Sequence, residues 1–214
     1  MELHMNMNKY STMRLLLFKR RYELTLVQKL VLALGFACLT GLLAQLRFYL
    51  PGTPVPLTGQ TFAVLFSAIL LGKWWGGISQ TLYLGIGVAG MPWFAGFNSG
   101  LAYLAGPTGG YLIGFIVAAF FLGYVVDSYI KSRYFLSMLG LMMLANFLII
   151  YGCGLLQLYG WTVLMGGSQV SITNLLMMGL VPFVVGDLVK LMIAALIAKG
   201  ITPKAAFGPE HNAY

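Results

Sequence analysis

The sequence predicts an all-α integral membrane protein with six transmembrane helices and both termini on the cytoplasmic side. Three observations carry this. Of 214 residues, 59% are hydrophobic and 8% charged, with a mean hydropathy of +0.86, whereas ordinary soluble domains are about 25% charged. The apolar runs are long and are interrupted by Gly and Pro rather than alternating with polar residues, which specifies helices and not a barrel. Of the thirteen Lys and Arg residues, eleven gather in the tails and connections on one side. A basic cytoplasmic tail, 1–29, precedes a six-helix membrane domain, 30–199, and a second cytoplasmic tail, 200–214, follows it. No length remains for a soluble catalytic or nucleotide-binding module.

Residues 1–29 hold six basic side chains, Lys9 to Lys29, and the apolar run 15–18 is too brief for a signal-peptide core. Segment 10–27 suits either a basic helix on the membrane surface or a solvated tail. Span one, 30–46, carries Ala33, Ala37 and Gly41 at four-residue spacing, a strip of small residues that admits another helix. That helix belongs either to this bundle or to a partner subunit. Segment 47–56 contains three prolines and reads as an extended loop on the far side. The run 58–90 would reach about 50 Å as one helix against a hydrocarbon core of about 30 Å, so it must break. Gly72-Lys73-Trp74-Trp75-Gly76 is the break, a lysine beside two interface-anchoring tryptophans. Spans two and three are then 58–72 and 74–90, and their Gln60, Thr61, Gln80 and Tyr83 require partners across helices.

Residues 91–110 form a connection without a charge, rich in Gly and aromatic residues, which reads as a lid or rim lying against the bundle or over a ligand. Thr108 is placed to N-cap span four, 109–126. Gly109 and Gly110 leave backbone N–H groups at a positive helix end, suiting either an anionic group or a plain glycine turn. After a charged turn, 127–133, span five runs over 134–159 with Asn146 and Gln157. An uncharged connection, 160–173, leads to span six, 174–198. On this register eleven basic residues lie on one side, Arg47 alone lies on the other, and Lys190 is intramembrane. The positive-inside rule therefore places both termini in the cytoplasm.

Span six contains Asp187 and Lys190, opposite charges three residues apart and so on one helix face. Ionisable groups inside a span face the bundle interior or a substrate path, and an internal salt bridge is the plainer alternative. The pair is neutral overall and keeps spare acceptors and donors, which suits a group offering N–H beside C=O, an amide or a urea. Trp93, Phe94, Phe97, Tyr103 and Tyr111 are candidates for apolar walls. Cys38 and Cys153 lie within spans and read as packing residues; no metal site and no cofactor are expected. His4 and His211 are the only histidines and lie in the tails, which disfavours an intramembrane enzyme. The net charge of +8 reports topology and implies no nucleic-acid partner. A proton or ion carrier using the pair as a relay is the remaining rival.

Five segments resemble the BioY family of biotin transporters over about residues 30–199: Pro54-Val-Pro-Leu-Thr-Gly-Gln-Thr61, Leu70-Leu-Gly72, Gly90-Met-Pro-Trp-Phe-Ala-Gly96, Gly106-Pro-Thr-Gly-Gly-Tyr-Leu-Ile-Gly-Phe115 and Gly186-Asp-Leu-Val-Lys190. The fourth and fifth are specific in combination. The resemblance implies a six-helix substrate-binding (S) component of an energy-coupling factor (ECF) transporter in the bacterial cytoplasmic membrane, surrounded by lipid. It implies capture of biotin outside and work with a transmembrane coupling subunit and two ATPases, or else alone by self-association. No Gly-x-x-x-x-Gly-Lys-[Ser/Thr] motif is present, so any ATP is hydrolysed elsewhere. On this reading Asp187 accepts a ureido N–H, and Lys190 donates to the ureido oxygen or to the carboxylate. Asn98, Ser99 and the turn Thr108, Gly109, Gly110 hold the valerate end, while Gln60, Tyr83, Phe94 and Tyr111 complete the site. Ala33 and Ala37, continued by Gly41, match the spacing that such proteins use to meet the coupling subunit.

Overall fold

The computed structural model describes the backbone of residues 2–166 and 170–204. Helix α1, Glu2–Glu23, precedes α2, Leu26–Gln45. A capping box starts α2: Gln28 N–H donates to the Thr25 hydroxyl, and Thr25 N–H donates to the Gln28 side chain, satisfying two donors that a helix end leaves open. Segment 1–29 is not a detached tail at its C-terminal end. Phe18 is buried, and Arg21 pairs with Asp127 at the end of another helix.

Among the described residues, five helices are long and apolar enough to cross a membrane: Leu26–Gln45, Gln60–Val88, Gly109–Ser128, Phe135–Met165 and Ile172–Ile201. The second, α3, is a hairpin. Gln60 Nε2 donates to Tyr83 Oη at 2.7 Å and Gln80 Nε2 to Ser67 Oγ at 3.0 Å, although a straight helix would hold Gln60 and Tyr83 about 35 Å apart. The reversal occurs at Gly72, where φ is 80°. A Cβ there would also collide with the Asp127 carboxylate and the Arg21 guanidinium, so glycine is required twice over. Those two side chains finish the turn: Arg21 donates to the carbonyls of Ile69 and Leu70, and Asp127 accepts the Lys73 N–H.

Between α2 and α3 the proline-rich loop closes as a two-stranded antiparallel ribbon, Arg47–Phe48 with Leu57–Thr58. The uncharged connection after α3 contains a short helix α4, Gly100–Leu104. It folds back with Trp93, Phe94 and Ala95 buried. Helix α5, Gly109–Ser128, packs against both limbs of α3 and against the helix after it. Thr108 holds the N-cap position, yet its backbone is already helical and its side chain makes no cap bond. The turn 127–133 is partly buried: Tyr129 and Lys131 are exposed, whereas Arg133 is fully buried and donates to the carbonyls of Val126, Asp127 and Pro203.

The fifth span reaches further than 159. Helix α6, Phe135–Met143, passes through a π-helical stretch, Leu144–Ile150, into α7, Tyr151–Gly166, which takes up half of the expected connection 160–173. The sixth apolar run is two helices. Helix α8, Ile172–Gly179, stops before the turn Val181–Phe183, and α9, Val184–Ile201, restarts after it. Pro182 removes a backbone donor and disfavours helix in the residue before it.

Candidate ligand-binding site

The interruption at Pro182 creates a helix N-terminus inside the apolar run, and Asp187 lies in the first turn of α9. Unpaired N–H groups there favour a carboxylate. Asp187 is 1% exposed. Its Oδ1 lies 2.5 Å from Lys190 Nζ, while its Oδ2 accepts Asn146 Nδ2 at 2.8 Å and Tyr151 Oη at 2.7 Å. Asn146 and Tyr151 are five residues apart, about 140° around a regular α-helix. The π stretch brings them together: the Tyr151 N–H donates to the Asn146 carbonyl, the i to i+5 bond that stacks such residues.

Lys190 Nζ also donates to the Thr58 carbonyl at 2.8 Å, joining α9 to the ribbon. A carboxylate has about four acceptor positions and an ammonium three donors. One acceptor on Asp187 Oδ1 and one donor on Lys190 are therefore left side by side. Both residues line a partly open cavity of about 520 Å³, solvent at its mouth included, together with Gln60, Thr61, Tyr103 and Tyr111. Among the described residues, two buried side-chain polar atoms have no protein partner, Thr61 Oγ1 and Asn146 Oδ1. A buried polar atom without a hydrogen bond is costly, about 1–3 kcal/mol, and the Thr61 hydroxyl belongs to a residue on the cavity wall. At the rim, burial raises the Tyr103 phenol above its ordinary pKa, opposed by a hydrogen bond with Thr108, so the ring presents a neutral hydroxyl.

The profile of the BioY family matches residues 9–207. The chain belongs to the BioY family. It is 49% identical over 144 residues to the "Probable biotin transporter BioY" of Methanothermobacter thermautotrophicus, covering 67% of this chain and 92% of that one. It is 39% identical over 149 residues to the "Biotin transporter BioY" of Thermotoga maritima, with 70% and 82% covered. Its fold is that of the solved S-component for biotin from an ECF-type ABC transporter, with a TM-score of 0.71 at 23% identity over 82% of this chain and 93% of the other. BioY proteins are transporters and not enzymes, and the long apolar helices make this member a multi-pass membrane protein.

Within this BioY chain the predicted site residues divide. Asp187, Lys190, Gln60, Thr108 and Tyr111 line the cavity. Tyr83 and Phe94 stand behind it, Tyr83 accepting from Gln60 and Phe94 stacking on Tyr103. Asn98 and Ser99 do not line it; the Asn98 side chain donates to the Ala95 carbonyl and shapes the rim loop. Gly109 and Gly110 serve packing. A side chain on Gly109 would strike the Leu104 carbonyl and one on Gly110 the Cys153 carbonyl, and the Gly109 N–H is already given to Gly106. Ala33, Ala37 and Gly41 are all buried, with Gly41 against Trp93, so the strip meets this bundle and not a free surface. Tyr151 is the residue that helical periodicity misses, and in the sequence Arg47 is legible only as the one cation of the far-side loops. The Arg47 guanidinium lies against the Gly96 turn and over the Tyr49 ring, and its charge reaches Tyr103.

Proposed function

We infer that this protein captures biotin at the outer face of the cytoplasmic membrane as the substrate-binding component of an ECF-type transporter. The observation that carries the reading is the free acceptor on Asp187 beside the free donor on Lys190. A cyclic urea presents the complementary pair, N–H next to C=O. Asp187 accepts one ureido N–H, Lys190 donates to the ureido oxygen, and Thr61 Oγ1 gains the partner it lacks. Tyr103, Tyr111 and Phe115 form apolar walls for the sulfur ring and the alkyl chain. The valerate carboxylate points to the mouth, where Arg47 is the nearest outer cation.

Six membrane crossings with both termini inside are supported by the hairpin at Gly72 together with the basic residues gathered at that end. Transport against a gradient requires an energy source, and with no nucleotide-binding motif in the sequence that source is a set of separate coupling and ATPase subunits. The test is equilibrium binding of biotin and biotin methyl ester to the purified protein in detergent. Saturable one-to-one binding of biotin is expected, with the uncharged ester on the order of tenfold weaker. Folded protein that ignores both ligands would refute the reading. Equal affinity for both would refute only the assignment to Arg47.

A further inference from the structure

A second cavity lies at the opposite end of the bundle, beside the Gly72 reversal. It measures about 850 Å³, solvent at its mouth included, and its wall includes Arg21, Tyr22, Lys29, Lys73, Trp74 and Asp127. Three cations face one carboxylate. The carboxylate is already taken by Arg21 and the Lys73 backbone N–H, so both lysine charges remain uncompensated. Lys29 Nζ donates to the Tyr22 carbonyl at 3.2 Å, and Lys73 Nζ lies over the rings of Trp74 and Tyr124. Among the described residues neither lysine is paired with a carboxylate.

The surroundings fix the depth of this cavity in the membrane. Lys29 is in the first turn of α2, whose Leu26, Val27 and Leu30 are exposed apolar side chains, and Trp74 is 61% exposed at the turn between the two limbs of α3. Tryptophan and lysine at the ends of apolar helices mark the headgroup level. A basic pocket at that level on the cytoplasmic side suits an anionic headgroup. We propose that this cavity binds the phosphate of an anionic phospholipid, with Lys29 and Lys73 as its ligands and the exposed start of α2 as the surface for an acyl chain. The lipid would bear on Arg21 and the Gly72 turn, where α1 is docked.

The experiment is native mass spectrometry of the full chain released from neutral detergent with equal amounts of phosphatidylglycerol and phosphatidylcholine. The variants Lys29→Gln and Lys73→Gln, singly and combined, are measured alongside. Preferential retention of phosphatidylglycerol is expected, weakened on the order of fivefold by each lysine removed and unaffected by millimolar inorganic phosphate. Biotin binding by each variant serves as the fold control, since neither lysine lines the biotin cavity. Equal retention of the two lipids, or an unchanged preference in the combined variant, would overturn the proposal. Displacement of the lipid by inorganic phosphate would overturn the lipid as its source.

Discussion

Among the described residues two acid–base pairs lie at opposite ends of one bundle, and they differ in what they join. Asp127 and Arg21 join segments 106 residues apart. Arg21 also donates to two helix-terminal carbonyls, and the second Asp127 oxygen takes the Lys73 N–H. Both Asp127 oxygens and both terminal nitrogens of Arg21 are engaged inside the chain, which makes the pair a clamp on the Gly72 reversal. Asp187 and Lys190 are three residues apart on one helix. Although Asn146, Tyr151 and Thr58 hold them in place, each keeps one valence directed at an open cavity. A pair held in place with valences facing a cavity is what a ligand site requires; a pair spent on joining a helix turn to a distant segment is architecture.

The widest separation of the two ends comes from removing each carboxylate charge. Asp187→Asn leaves Lys190 without its counter-ion and offers the ureido N–H a weaker acceptor, so biotin affinity is expected to fall by about 100-fold or more. Titration calorimetry on protein that still elutes as a single species would check it, and affinity within a few-fold of wild type would break the comparison. Asp127→Asn should act the opposite way. Unpairing a largely buried Arg21 is expected to lower stability by about 3 kcal/mol while biotin affinity of the folded fraction stays unchanged. Denaturation curves with and without biotin separate the two effects.

How much of this was legible depended on whether the signal was local. Asp187 and Lys190 announce themselves as charges in an apolar run, and the break at Gly72 follows from a run too long for one crossing. The partners of Asp187 were hidden because a regular helix turns Asn146 and Tyr151 to different faces, and a π stretch leaves no mark in residue spacing. Pro182 marks a break, but not that the helix resumes at Val184 and places Asp187 in its first turn. The small residues of α2 say that another helix comes close without saying which one. The Thr40 hydroxyl within hydrogen-bond reach of Gln80 shows that it is the second limb of α3. Arg21 counted as one more tail cation because its partner lies far along the chain.

The smallest expected effect is the sharpest test of the unsatisfied valences. Thr61 Oγ1 is buried, makes no hydrogen bond to protein, and belongs to a residue on the cavity wall shared with Gln60 and the Asp187 pair. Thr61→Val keeps the shape of the side chain and replaces the hydroxyl by a methyl group. If the hydroxyl serves only the fold, the change should cost stability in the free protein and leave ligand binding alone. If it is reserved for the ligand, the free protein should be as stable as wild type or more so, because an unsatisfied buried group has been removed. Biotin binding should then weaken about fivefold, the worth of one neutral hydrogen bond. The decisive quantity is therefore the pair of measurements on one variant, stability without biotin and affinity with it, moving in opposite directions.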